Sequence, residues 1–295
     1  MGGSRATRPL AGLAALGLAA CLATAGAATP VLAAPAARVA ALPAASAADP
    51  LAGMRPSPLA GRVPSKGGAT LAPQATGTLT GRVVVVDPGH NGVYRRSVNT
   101  RRVAAGNGAK KACNSSGTAT NAGFAEHAFN WKVAVDLVRE LRSRGATVVL
   151  TRPGNNGTGP CVNERAAIGN RARADLMVSI HADGTYASGA RGFHLILSRT
   201  MVGGSAVEAR SKALALDLRS RIAKTGMPRS TYIGKGTALS FRSDIAGLNL
   251  STVPAVMLEA GNLRNTRDAR LLTSVSGRQK LAAALAAGVV AALKA

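Results

Sequence analysis

The sequence predicts an α/β domain built on a largely parallel sheet. Three features point to it. Val83-Val84-Val85-Val86 is a continuous β-branched run, as expected of a strand buried on both faces. Helical apolar stripes alternate with short apolar runs after it, the pattern of strand–helix–strand units. Turn residues punctuate the joints, beginning with Asp87-Pro88-Gly89-His90 directly after the first run.

The elements follow in order. Glu126 to Arg144 reads as a helix, with Val133, Leu137, Val138 and Leu141 on one stripe and Gly145 as the stop. Thr147–Leu150 is a second strand, Val162–Arg173 a helix, and Leu176–Ile180 a third strand. Phe193–Leu197 is a fourth strand, and Ala206–Lys224 a helix turning Leu214, Leu218 and Ile222 inward. Val253–Leu258 is another strand, and Leu281–Leu293 closes the domain as a helix.

The chain before Arg82 reads differently. Arg5 and Arg8 precede an apolar Ala/Leu/Gly run from Leu10 to Ala28, and Ala25-Gly26-Ala27 offers a small-residue cleavage site. That is the layout of a secretory signal peptide over residues 1–27. Leu18-Ala19-Ala20-Cys21 also resembles a lipobox, which would make Cys21 a lipid-bearing terminus, although apolar sequence continues past it. Residues 28–80 are rich in Ala and Pro without sustained periodicity, and are expected to be a disordered linker. The folded domain is therefore expected over 81–295 and the protein in an exported location: periplasm, cell wall or outside the cell.

In parallel sheets, functional groups gather at the carboxyl ends of strands. His90 follows the first strand, His181 the third and Glu259 the Val253–Leu258 strand, while Glu126 starts the first helix. Zinc hydrolases use three protein ligands, His/His/Glu among the known sets, plus a base for the bound water. His90, Glu126 and His181 supply such a set and leave Glu259 as the base. Spacing alone is a weak signal, because a His after a strand is more often a surface or capping residue.

The words around these residues say more. In order they are Val84-Val85-Val86-Asp87-Pro88-Gly89-His90, Glu126-His127-Ala128-Phe129-Asn130, Val148-Val149-Leu150-Thr151-Arg152, Asn163-Glu164-Arg165-Ala166-Ala167-Ile168-Gly169-Asn170, Ala174 to Asp183, and Val253 to Leu263. Together they closely resemble the zinc-dependent N-acetylmuramoyl-L-alanine amidases of bacterial peptidoglycan, from Arg82 to about Lys294. The resemblance implies a twisted, mostly parallel sheet flanked by helices on both faces. It implies one zinc ion on His90, Glu126 and His181, and Glu259 as the catalytic glutamate. The implied reaction is hydrolysis of the amide between N-acetylmuramic acid and L-alanine of the stem peptide. Arg242, in Leu239-Ser240-Phe241-Arg242, matches a word near the last catalytic strand and would meet a stem-peptide carboxylate, unless it is a plain surface arginine.

The chain departs from the family in places. Asn91-Gly92 stands where Gly-Gly is common, an insertion over residues 94–123 carries seven charged or thiol side chains and could act as a flap, and Asp183 follows Ala182 in place of the usual Asn. Asp183 and Asp87 are each open to two readings, second-layer support of a ligand or a plain structural role. His127 and His194 are not expected to be ligands. Removing the leader leaves Cys113 and Cys161, an even pair in an exported chain, which predicts a disulfide; the alternative is two free thiols.

The net charge of +24 suggests an anionic partner. Residues 81–295 hold 31 basic and 12 acidic side chains, a balance of +19, so the catalytic domain carries most of it. Nucleic acid is disfavoured by one Trp, three Tyr and four Phe, too few for stacking platforms. The expected partners are peptidoglycan or muropeptide fragments and anionic wall polymers, with the protein a monomer. Two other readings remain open: a zinc peptidase cutting within the stem peptide, and a basic wall-binding protein without catalysis.

Overall fold

The computed structural model describes residues 68–294. In chain order the elements are β1 (Ala69–Leu71), β2 (Val83–Pro88), α1 (Arg96–Asn99), β3 (Arg102–Ala104), β4 (Lys110–Ala112), α2 (Glu126–Ser143), β5 (Thr147–Leu150), α3 (Val162–Arg171) and β6 (Leu176–Asp183). They continue as β7 (His194–Ser198), α4 (Ser205–Ile222), β8 (Leu239–Arg242), α5 (Ala246–Asn249), β9 (Ala255–Asn262), α6 (Thr266–Thr273) and α7 (Val275–Lys294).

Seven strands form one sheet in the order β1-β5-β2-β6-β9-β7-β8. β5, β2, β6 and β9 run parallel, as do β7 and β8; β1 joins β5, and β7 joins β9, antiparallel. The β-branched run explains itself here. Val84 and Val86 face one core with Leu137 and Leu141 of α2, Leu214 and Leu218 of α4, and Leu285 of α7. Val85 faces the other core with Ile168 of α3 and Leu248 of α5. Helices thus cover both faces. Leu137 and Leu141 are fully buried, and truncating either to Ala would cost about 2–5 kcal/mol. Gly145 ends α2 with φ 94°, and Ala146 N–H donates to Leu141 C=O, so the left-handed turn closes the helix.

Several boundaries differ from the sequence expectation. Residues 69–80 are not linker: β1 pairs with β5, and Leu71 and Leu79 are buried. Three residues of strand are too short to show a period, and the neighbouring prolines masked them. β6 and β9 extend past their apolar runs to Asp183 and Asn262, because ladder hydrogen bonds continue under polar rim residues. The β3–β4 hairpin sits inside the predicted insertion. The expected signal segment, Cys21 and residues 28–67 lie outside the described residues. No helix among the described residues is long and apolar enough to cross a membrane.

Candidate metal centre

Three elements bring the candidate ligands together. His90 sits in the turn after β2, Glu126 is the first residue of α2, and His181 lies near the end of β6. Their ligand atoms all lie within 4.8 Å of one another. His90 Nε2 is 3.0 Å from Glu126 Oε2, and His181 Nδ1 is 3.0 Å from Glu126 Oε1. Ligand atoms around a tetrahedral zinc stand roughly 3–3.5 Å apart, a spacing that the two His–Glu126 contacts match, and two imidazoles with a carboxylate are a zinc-type donor set. His90 Nδ1 lies 2.9 Å from the Ser115 carbonyl oxygen; donating there leaves Nε2 with a free lone pair.

The turn carrying His90 is fixed by its neighbours. His90 has φ 74°, a left-handed conformation uncommon outside Gly, Asn, Asp and His. Arg165 fixes it from below, donating to the carbonyls of Pro88 and His90, each at 2.8 Å, and to Asn91 Oδ1. Arg165 is itself paired with buried Asp87 at 2.7 Å. Gly89 is required for another reason: a Cβ there would stand 2.1 Å from the His181 ring.

Glu126 is almost wholly buried at the amino end of α2, where the helix favours a negative charge. Burial alone would raise its pKa. Hydrogen bonds and attraction from His181 and His90 overcome that and hold it well below the ordinary carboxylate range. Thr118 N–H, at 3.0 Å, and Ala182 N–H, at 3.2 Å, also donate to it.

Glu259 lies on β9 directly opposite His181 in the parallel ladder. Its Oε2 is buried without a hydrogen-bond partner. Burial and repulsion from Asp183 and Glu126 push its pKa well above the usual value, with Arg242 opposing. All four residues line one cavity of about 520 Å³, with Asp183, Gly184, Thr118, Lys111 and Ile245 among its other walls.

The family model for type 3 N-acetylmuramoyl-L-alanine amidases matches residues 84–291. The chain belongs to this amidase family. An N-acetylmuramoyl-L-alanine amidase of Mycobacterium tuberculosis is 43% identical over 212 residues, covering 72% of this chain and 86% of the relative. The crystal structure of the N-acetylmuramyl-L-alanine amidase of Mycobacterium smegmatis matches with a TM-score of 0.70 at 41% identity, over 73% of this chain and 98% of that one. The apo enzyme of Mycobacterium abscessus matches with a TM-score of 0.69 at 42% identity, over 72% and 99% of the two chains. This amidase-family chain is accordingly a hydrolase with the mixed α/β sheet of its relatives.

Other expected site residues fall where the fold assigns them different tasks. Arg242 stands exposed on β8 and does not line the cavity; Asp244 holds it, Oδ1 accepting from Nε at 2.8 Å and Oδ2 from NH2 at 2.6 Å. It acts on Glu259 through its charge. Asp87 accepts from Arg165, Thr151 and Ser179 beneath the His90 turn, so it braces the turn and touches no candidate ligand. Asp183 ends β6 two residues past His181; it accepts from the Tyr232 hydroxyl at 2.7 Å and lies 3.8 Å from His194 Nδ1. His127 lies 3.0 Å from Asn155 Oδ1, away from the cluster. His194 is buried opposite Glu259, and burial lowers its pKa, with Asp183 opposing and Arg242 adding. Cys113 and Cys161 are disulfide-bonded, tying the β4 end of the insertion to the start of α3.

Lys111 and Arg165 carry roles that sequence reasoning did not single out. Lys111 lines the cavity, its Nζ donating to the Asp244 carbonyl at 2.6 Å. It was one of several basic residues in the insertion, and only the hairpin register brings it to the cleft. Arg165 lay within a family word, where its neighbour Asp87 was 78 residues distant.

Proposed function

We propose that this amidase hydrolyses the amide between the lactyl group of N-acetylmuramic acid and L-alanine of the peptidoglycan stem peptide, using one zinc ion. The observation that supports it most is the convergence of His90, Glu126 and His181 within 4.8 Å, with Glu259 one strand away. Zinc bound there would lower the pKa of water to about 7 and polarise the scissile carbonyl. His90, in the tautomer set by the Ser115 carbonyl, and His181 would offer neutral nitrogens, and Glu126 a carboxylate already ionised. Glu259 would take the proton of the attacking water at Oε2, which has no competing partner, and return it to the leaving nitrogen as the C–N bond breaks.

The amino-terminal signal segment and the Cys113–Cys161 bond favour an exported site of action, and the basic balance of the domain favours attraction to an anionic wall. The test is digestion of muropeptides followed by mass spectrometry. Release of whole stem peptides with L-alanine at the new amino end supports this reading, and cuts between stem residues point to the peptidase instead.

A further inference from the structure

The chain has only eight aromatic residues. Phe129, Trp131 and Phe193 are in the core, whereas Tyr186 is 78% exposed, more than any other large hydrophobic side chain described. It follows β6 closely: Asp183 and Gly184, just before it, line the cavity of the candidate metal centre. One exposed ring needs no explanation by itself; what singles out Tyr186 is its place three residues past Asp183 of the cavity wall and the arginine held over it.

The ring is also held in place. The Arg264 guanidinium stands over it, 4.9 Å from the centroid. Arg264 is anchored in turn: its N–H donates to Asn262 Oδ1 at 3.0 Å, and its carbonyl accepts from Asn121 Nδ2 at 3.3 Å. Asn262 Nδ2 donates to the carbonyls of Thr185 and Ala190, both at 2.9 Å, and Leu263 N–H donates to Asp183 C=O at 2.8 Å. Backbone is therefore pinned on both sides of Tyr186, and its ring loses little freedom when it meets a ligand.

We propose that Tyr186, oriented by Arg264, is the platform on which a pyranose ring of the substrate's glycan stacks. This rests on the peptidoglycan reading above and divides the cleft between the two halves of the substrate. A sugar offers a C–H face to an aromatic ring, and its hydroxyl and acetamido oxygens can accept from a guanidinium. Stem-peptide carboxylates call for cations, and Lys111, whose Nζ donates to the Asp244 carbonyl, is one that lines the cavity itself. Tyr186 makes none of the contacts of the ligand cluster, so it tunes which substrate binds and leaves the hydrolytic step alone.

The test uses the zinc-loaded full chain with two substrates: a disaccharide-bearing muropeptide, and the same stem peptide capped by lactate alone. For Tyr186→Ala, KM for the muropeptide should rise about tenfold with kcat within about twofold, and Tyr186→Trp should restore it. The lactyl peptide should be cleaved equally by all three. An unchanged KM, a loss that Trp does not rescue, or an equal loss on the lactyl peptide overturns the assignment. A second arm needs no hydrolysis: calorimetry of a soluble chitin oligomer binding to Glu259→Gln, with and without Tyr186→Ala. Tyr186-dependent binding together with a wild-type chain that fails to cleave muropeptides would sink the amidase reading and keep this one; binding indifferent to Tyr186 rejects the platform.

Discussion

His181 and Glu259 face each other across one parallel ladder, β6 to β9, so a candidate ligand and the candidate base are set by strand register. Replacing Glu259 by Gln keeps the shape and removes the proton acceptor. The variant should bind zinc as the wild type does and lose about 100-fold or more in kcat. Zinc content by elemental analysis alongside muropeptide turnover checks both halves; full activity would reject Glu259 as the base.

His181→Ala removes one of three donors that lie within 4.8 Å of each other. The purified variant should contain little zinc and have no activity. Chelation should silence the wild type, and added zinc should revive it but not the variant. A variant with normal zinc content would remove His181 from the ligand set.

Gly89→Ala tests the site without touching a ligand. The added Cβ would press on the His181 ring at 2.1 Å. Zinc affinity should fall about 10- to 100-fold, the range for disturbing the support of a ligand. Competition with a fluorescent chelator measures it, and equal affinity would show that the ring has room to move.

Asp87 and Arg165 form a buried pair, and Asp87→Asn leaves the guanidinium uncompensated, at a cost of about 3–5 kcal/mol. Burial alone would raise the Asp87 pKa; Arg165 and the Ser179 and Thr151 hydroxyls bring it below the ordinary value. With the folded pKa depressed, the unfolded chain takes up the proton first as pH falls. The stabilisation is full above the unfolded value of about 3.9 and fades as pH drops through the lower folded one. Urea titrations should therefore show a wide wild-type-to-variant gap at neutral pH that narrows only below about pH 4. A gap independent of pH would deny Asp87 its charge.

The Cys113–Cys161 bond spans 48 residues of sequence. Loop-closure entropy for that span is worth about 4 kcal/mol, within the usual range for native disulfides. Cys113→Ser with Cys161→Ser should lower the melting temperature measurably, and a reducing agent should do the same to the wild type alone. A melting curve indifferent to both changes would show the bond to be absent in solution.

Much of this was legible in the sequence for physical reasons. Buried parallel strands must be apolar on both faces, so Val83–Val86 and Thr147–Leu150 announced themselves. The stripe of Val133, Leu137, Val138 and Leu141 did the same for α2. Strand ends and a helix start, where an α/β fold collects polar groups, drew notice to His90, Glu126 and His181, and the resemblance of the words around them made them a candidate ligand set. What stayed hidden depends on distant partners. The direction of β7 follows from its pairing with β9, not from its own residues. Arg242 looked available although Asp244 stands two residues on; a bidentate grip between them needs a backbone turn that the residue order alone does not specify. Lys111 reaches the cleft through a hairpin whose three-residue strands carry no readable period.

The antiparallel pairing of Ala69–Leu71 with β5 covers what would otherwise be a bare flank of the sheet. An uncovered strand offers its unpaired amides to any other chain that passes. A version trimmed to the catalytic core at Arg82 would expose the Thr147–Leu150 backbone to such recruitment. The stretch ahead of the first long strand works as a hem: it trades the four-residue flank of β5 for an outermost strand of three residues, and a short edge is a poor template for a passing chain.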